Sequence, residues 1–190
     1  MTDAAPHRIP AAITTERLIL RPFTAEDIDE RHAYQSLPEV ARYLYHPPLT
    51  REACAISTAT RGVHAGWNAD NDGLLWAVCR ADRPGVLGEV VLTLTNARAR
   101  QAEIGWVFHP DHAGHGYATE AARALVATAF DSLGVHRVFA RLDALNTASA
   151  RVCERLGMRH EAHLVESDLD GDRWGSEYVY AVLAREWPTA

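Results

Sequence analysis

Three histidines, His109, His112 and His115, recur at every third residue of the stretch HPDHAGHGYATEA, residues 109–121. Imidazoles at that density are candidate metal ligands, because a neutral ring nitrogen binds zinc well. The same stretch carries Gly114 and Gly116 just ahead of an apolar repeat. That pattern suits a different chemistry. Backbone N–H groups at a helix start are unsatisfied, and the helix dipole favours an anion there, so a glycine turn can cradle phosphate. The metal reading needs a helix through 109–115, which Pro110, Gly114 and Gly116 oppose. Asp111 stands at no regular ligand spacing from the histidines. The balance favours phosphate and no metal. No Lys follows Gly116, so the turn is not a P-loop, and it is not G-x-G-x-x-G either. A second polar pair, Asn146 and Ser149, opens the stretch NTASARVCERLGM.

Both groups need strands that end beside them. QAEIGWVF (101–108) reads as a strand stopped by Pro110. From Tyr117 to Leu133 apolar residues recur with helical period, and Gly134 is the expected C-cap. VHRVFARL (135–142) is a further strand, and 146–157 a helix with Asn146 as N-cap and Gly157 as C-cap. Adjacent parallel strands place their C-terminal loops side by side, so Gly116 and Asn146 should face one crevice. Upstream, RLILRPF (17–23) alternates as a strand, Thr24 caps a helix with Asp27 three residues on, and a second helix spans about 50–66. GLLWAVCR (73–80) and VLGEVVLTLT (86–95) are strands joined by ADRPG. HLVESDL and SEYVYAVLA pair as a hairpin across DGDRWG. The order β-α-α-β-β-β-α-β-α-β-β is an α+β architecture, a mixed sheet with helices on its faces. Residues 1–11 read as a flexible arm before a single domain, 12–188.

The 190 residues suit one domain with a sizeable core, being 47% apolar and 23% charged. The net charge of −6, with no Lys/Arg block, argues against nucleic acid and is compatible with a cationic substrate such as an amine. Cys54, Cys79 and Cys153 are odd in number and form no CxxC, which points away from disulfides and towards a reducing cytoplasm. The N-terminus lacks the basic and apolar regions of a signal peptide, and runs such as LLWAVC are too short for a membrane span.

EIGWVFHPDHAGHGYATEA together with NTASARVCERLGM resembles the GNAT acetyltransferase superfamily, and TTERLILRPFTAEDID with EYVYAVLAREW resembles its RimJ/RimL-type branch. The resemblance covers about 12–187. It implies the GNAT fold, a mostly antiparallel sheet in which 103–108 splays from a parallel strand at 135–142. It implies acetyl-CoA as cosubstrate without a metal, and an amine as acceptor. Pantetheine would enter the gap beside the backbone of Val107 and Phe108. The turn Ala113-Gly114-His115-Gly116-Tyr117-Ala118, with Thr119, matches the family's phosphate loop, except that Ala113 replaces the usual Gln or Arg. Asn146 matches the CoA-side Asn. Glu103 matches a strand acid that serves as base, directly or through water, and by alternation it shares a face with Gly105 and Val107. Ser149 stands where many relatives carry a Tyr acid; a hydroxyl is a poor acid and can instead hydrogen-bond the sulfur. Cys153 lacks the surroundings of an acyl-cysteine nucleophile. Trp67, Trp76, Trp106 and Trp174 are candidates for the acceptor pocket or the core. Where relatives carry W-x-D, this chain has Trp174-Gly175-Ser176 followed by Glu177. The expectation is a cytoplasmic N-acetyltransferase acting by direct attack in a ternary complex on a protein N-terminal α-amine. Acetylation of a small amine and a non-catalytic CoA sensor are the alternatives. A homodimer is left open.

Overall fold

The computed structural model describes residues 8–61 and 66–188. Eight strands form one sheet in the order β1-β2-β3-β4-β5-β6-β8-β7. They are β1 (Ile13–Thr14), β2 (Leu18–Pro22), β3 (Gly73–Arg80), β4 (Val86–Asn96), β5 (Gln101–Phe108), β6 (Arg137–Asp143), β7 (Arg159–Asp170) and β8 (Arg173–Leu183). The helices are α1 (Ile28–Gln35), α2 (Pro38–Ala41), α3 (Arg51–Arg61), α4 (Tyr117–Asp131) and α5 (Thr147–Arg155). Every neighbouring pair of strands is antiparallel except β5 and β6. That parallel ladder holds at Gln101↔Arg137, Ala102↔Val138 and Glu103↔Phe139 and then stops. β5 stays paired to β4 as far as Phe108. Its other edge therefore parts from β6 over the last residues and opens a fork.

The alternation of β5 decides what each side of the fork offers. Ala102 and Ile104 point into the larger core with Leu125, Val126 and Ala129 of α4 and Val138 and Ala140 of β6. Each fully buried Leu, Ile or Val contributes about 1.5–3 kcal/mol, so this face fixes α4 against the sheet. Val107 belongs to the other face, packing with the smaller core of Phe23, Tyr34, Leu75, Ala77, Cys79 and Val86. Helix α1 lies on that second face. Its buried Arg31 pairs with Glu89 of β4 at 2.7 Å, and the Tyr34 hydroxyl and the Gln35 amide donate to the same carboxylate at 2.7 and 3.0 Å. Arg31 also donates to Cys54 O and to the hydroxyls of Ser57 and Thr58, which ties α3 to α1.

Several boundaries differ from the sequence expectations. The strand at 101–108 is reproduced to the residue. The helix expected over 50–66 is described as Arg51–Arg61; Gly66 and Trp67 lie outside it, and 62–65 lie outside the described residues, as do 1–7 of the expected arm. Helix α4 ends at Asp131 with Ser132 as C-cap, and Gly134 (φ 61°) turns the chain two residues later. Helix α5 ends at Arg155 with Leu156 as cap and Gly157 beyond it. Strand β1 and helix α2 had no expectation, being two and four residues long. Elements that short display no period.

Candidate active site

At the mouth of the fork lies a cleft of about 1190 Å³. Val107 and Phe108 of β5 line one wall, and the turn Ala113–Gly116 with Ala118 and Thr119 lines another. Asn146 and Ser149 complete it from α5. Of the expected cofactor residues, Tyr117 alone is buried beneath the wall rather than lining it.

The turn owes its shape to two glycines. Gly114 and Gly116 have φ of 80° and 79°, a left-handed conformation that side chains oppose. Gly116 is the N-cap of the 15-residue α4, and no side chain caps that helix. Its first N–H groups are thus left to bind an anion. Arg17, at the entry to β2, holds the turn from outside. Its guanidinium donates to His115 O at 3.0 Å and to the Glu120 carboxylate at 2.7 Å, and it stacks over the Tyr117 ring. Glu120 also accepts from the Thr15 hydroxyl and from Arg17 N. Burial pushes the Glu120 carboxyl up, but these donors outweigh it and hold it below its ordinary range. The negative charge in the first turn of α4 is thereby matched by Arg17.

The three histidines do not converge. His109 Nδ1 accepts from Asp111 N, its ring is 5.6 Å from that of His112, and His115 instead stacks on Tyr117. Among the described residues, no group of three or more His, Cys, Asp or Glu is arranged to hold a metal.

Asn146 is the N-cap of α5, its Oδ1 accepting from Ser149 N at 3.0 Å, while the residue also faces the cleft. Across the fork, the Trp106 indole N–H donates to Ser149 Oγ at 3.2 Å.

Glu103 does not border this cleft. It lies at the last rung of the β5–β6 ladder, on the face opposite Ala102 and Ile104. Burial raises its carboxyl above the ordinary range; the guanidinium of Arg141 pulls it down and Glu177 pushes it up. Around it the sheet gathers charge that only tertiary structure reveals. Glu177 is buried and takes Arg141 at 2.8 Å, and Asp143 is buried and accepts from the Tyr45 hydroxyl at 3.0 Å. Asp168 also acts on Arg141 and Tyr45. Glu177, which follows the departure from W-x-D, is thus part of an ion pair beside Glu103. Glu89, the other nearby strand acid, is fully engaged by Arg31, Tyr34 and Gln35 and is no free base.

Cys153 is fully buried, and burial pushes its thiol up to about 12, so it is a poor nucleophile. Trp67 and Trp76 are core residues, Trp174 is exposed, and Trp106 alone of the four lines the cleft. Arg17 and the acids at 143 and 168 escaped the sequence reading, and Glu177 was noted there only as the residue after the departure from W-x-D. Alternation places Arg141 and Asp143 on one face of β6, Arg137–Asp143, but Arg17 carries no local signal.

A mixed sheet forked after one short parallel ladder thus sets an uncapped helix N-terminus at the mouth of a cleft. Residues 17–159 match the acetyltransferase (GNAT) domain, and the chain belongs to the GNAT acetyltransferase family. It is 33% identical over 175 residues to the uncharacterized N-acetyltransferase YnaD of Bacillus subtilis (strain 168), covering 92% of this chain and 98% of that protein. A GNAT-family acetyltransferase from Bacillus anthracis superposes with a TM-score of 0.82 at 31% identity, over 92% of this chain and 99% of that one. The fold is shared too with spermidine N-acetyltransferase from Vibrio cholerae, solved with CoA and spermine, at a TM-score of 0.77 and 21% identity over 90% and 98% of the chains. The chain is an N-acetyltransferase, and the family uses acetyl-CoA. Among the described residues no helix is long and apolar enough to cross a membrane.

Proposed function

We propose that the protein acetylates a primary amine, a protein N-terminal α-amine first among them, by direct attack on acetyl-CoA in a ternary complex. The observation that carries this reading is the two-sided fork. A helix end with no side-chain cap and a cleft lie on one side, and a half-buried carboxylate, Glu103, lies on the other. Backbone N–H groups of 114–119 would hold the pyrophosphate, and Asn146 would flank the arm. The free edge of β5 near Val107 and Phe108 would pair with pantetheine. Glu103 would take a proton from the substrate ammonium, directly or through water. A backbone N–H at the fork would donate to the carbonyl oxygen as it gains charge. Ser149 would hydrogen-bond the departing sulfur. The RimJ/RimL-type motifs at 14–29 and 177–187 support the N-terminal acceptor. Three buried free cysteines fit a reducing cytoplasm.

A small cationic amine is the second reading. It is favoured by the acids that act on Arg141 and Tyr45 beside Glu103, where Asp143, Asp168 and Glu177 outnumber Arg141. Acetyl-CoA turnover, read as free CoA, against N-terminal peptides and di- and polyamines separates the two. Turnover with peptides at substantially higher kcat/KM supports the first reading, and turnover with amines alone replaces it.

A further inference from the structure

We infer that Trp106 is a positioning residue that turns the Ser149 hydroxyl towards the leaving sulfur; the inference rests on the proposed role of Ser149 above. Hydroxyls inside helices ordinarily spend their proton on the preceding turn. Ser57, Thr60 and Thr128 do so here, each donating to a carbonyl three or four residues back. Ser149 is placed differently: it is the third residue of α5, in its first turn, where no helical turn precedes it, and among the described residues its hydroxyl donates to no backbone carbonyl. Its Oγ instead accepts the indole N–H of Trp106 at 3.2 Å. A hydroxyl has one proton and two lone pairs, so accepting from Trp106 occupies a lone pair and leaves the proton to be donated elsewhere. Both residues line the cleft, so the free proton has the cleft to point into. An accepted hydrogen bond also polarises the O–H and strengthens it as a donor.

The geometry adds a second consequence. Trp106 is on β5 and Ser149 on α5, so the bond spans the fork at the level where the strands have already parted. It sets the hydroxyl relative to the strand edge that would hold the thioester arm. Ser149 keeps its proton throughout. It donates a hydrogen bond to sulfur while the C–N bond forms and the C–S bond breaks; the nitrogen, having given its first proton to Glu103, sheds its second to solvent, and the thiolate takes a proton from solvent.

The test is a double-substitution cycle on the full chain with Trp106→Phe, Ser149→Ala and both. Trp106→Phe keeps the aromatic packing and removes the N–H. One hydrogen bond of this kind is worth about three- to tenfold in rate. The expected result is a three- to tenfold lower kcat for Trp106→Phe, a KM for acetyl-CoA within about twofold of the parent, and a double variant no slower than Ser149→Ala alone. Rate losses that multiply in the double variant, or an unchanged kcat in Trp106→Phe when Ser149→Ala is slow, overturn the inference and leave the Ser149 reading standing. An unchanged kcat in Ser149→Ala removes both, while acetyl transfer itself is still seen as CoA release. A second measurement does not depend on a Trp106 variant folding. The ultraviolet resonance Raman indole N–H band, compared between the parent and Ser149→Ala with acetyl-CoA bound, should shift to that of a weaker-bonded indole in the variant. No difference means that the bond is absent in the complex, and overturns the inference.

Discussion

Glu103 sits where burial and Glu177 raise its carboxyl and Arg141 restrains it. A base must be ionised to work. The acid limb of kcat/KM should therefore lie above the ordinary carboxylate range, with activity falling as pH drops through that raised value. Glu103→Gln keeps the shape and removes the base. It should lower kcat/KM for the acceptor by about a hundred- to ten-thousandfold at neutral pH. The deficit should shrink at high pH, where the amine deprotonates itself, and acetyl-CoA affinity should hold. Near-parental turnover at neutral pH would remove Glu103 as the base. Gly116 is a different kind of residue, needed for what it lacks. At φ 79° a β-branched side chain is strained, although its Cβ would meet Arg17 only at an ordinary contact distance of 3.6 Å. Gly116→Val should weaken CoA binding at least about tenfold, measured by calorimetry on a variant with parental circular dichroism. Both residues were legible in the sequence, through strand alternation, the glycine pattern and the resemblance. Arg17 was not, because its partner Glu120 is 103 residues away.

The elements that carry the site announce themselves where periodicity is long. QAEIGWVF and the repeat from Tyr117 were readable because strand alternation and helical period persist over 8 and 15 residues. The four residues of α2 offer no such run. Cap chemistry was readable as well. Asp27 accepts from Thr24 N at 2.7 Å and takes both guanidinium nitrogens of Arg21 at 2.7 and 2.8 Å. Burial pushes the Asp27 carboxyl up, but Arg21 and Thr24 together outweigh it and hold the carboxyl below its ordinary range. A carboxylate with a lowered pKa stabilises the fold above its unfolded value, near 3.9, and that stability is lost as pH falls through the folded value. Asp27→Asn should cost about 1–2 kcal/mol at pH 7, or about 2–8 °C in Tm for a chain of this size. The gap between variant and parent should narrow in melts at pH 3. A constant gap would mean that shape, not charge, holds this corner.

At the scale of the molecule, the site is a property of the sheet's topology. The order of elements implied an α+β sheet, and the resemblance implied its fork. Which charges gather beside the fork depended on the register of β6 and β8, where Asp143 faces Glu177, and no local pattern encodes that pairing. Ligand binding should be felt by the whole fold. Acetyl-CoA at a hundred times its Kd adds about 2.7 kcal/mol by mass action, which is roughly 5–10 °C in Tm. EDTA should change neither that shift nor the rate; activity lost to EDTA and restored by zinc would return the histidines to consideration. The short parallel ladder has a mechanical side. With three rungs between β5 and β6, the sheet is two leaves bound along a narrow seam, with α4 as the spine. An arm threaded between the leaves is a splint, and releasing it means letting them flex.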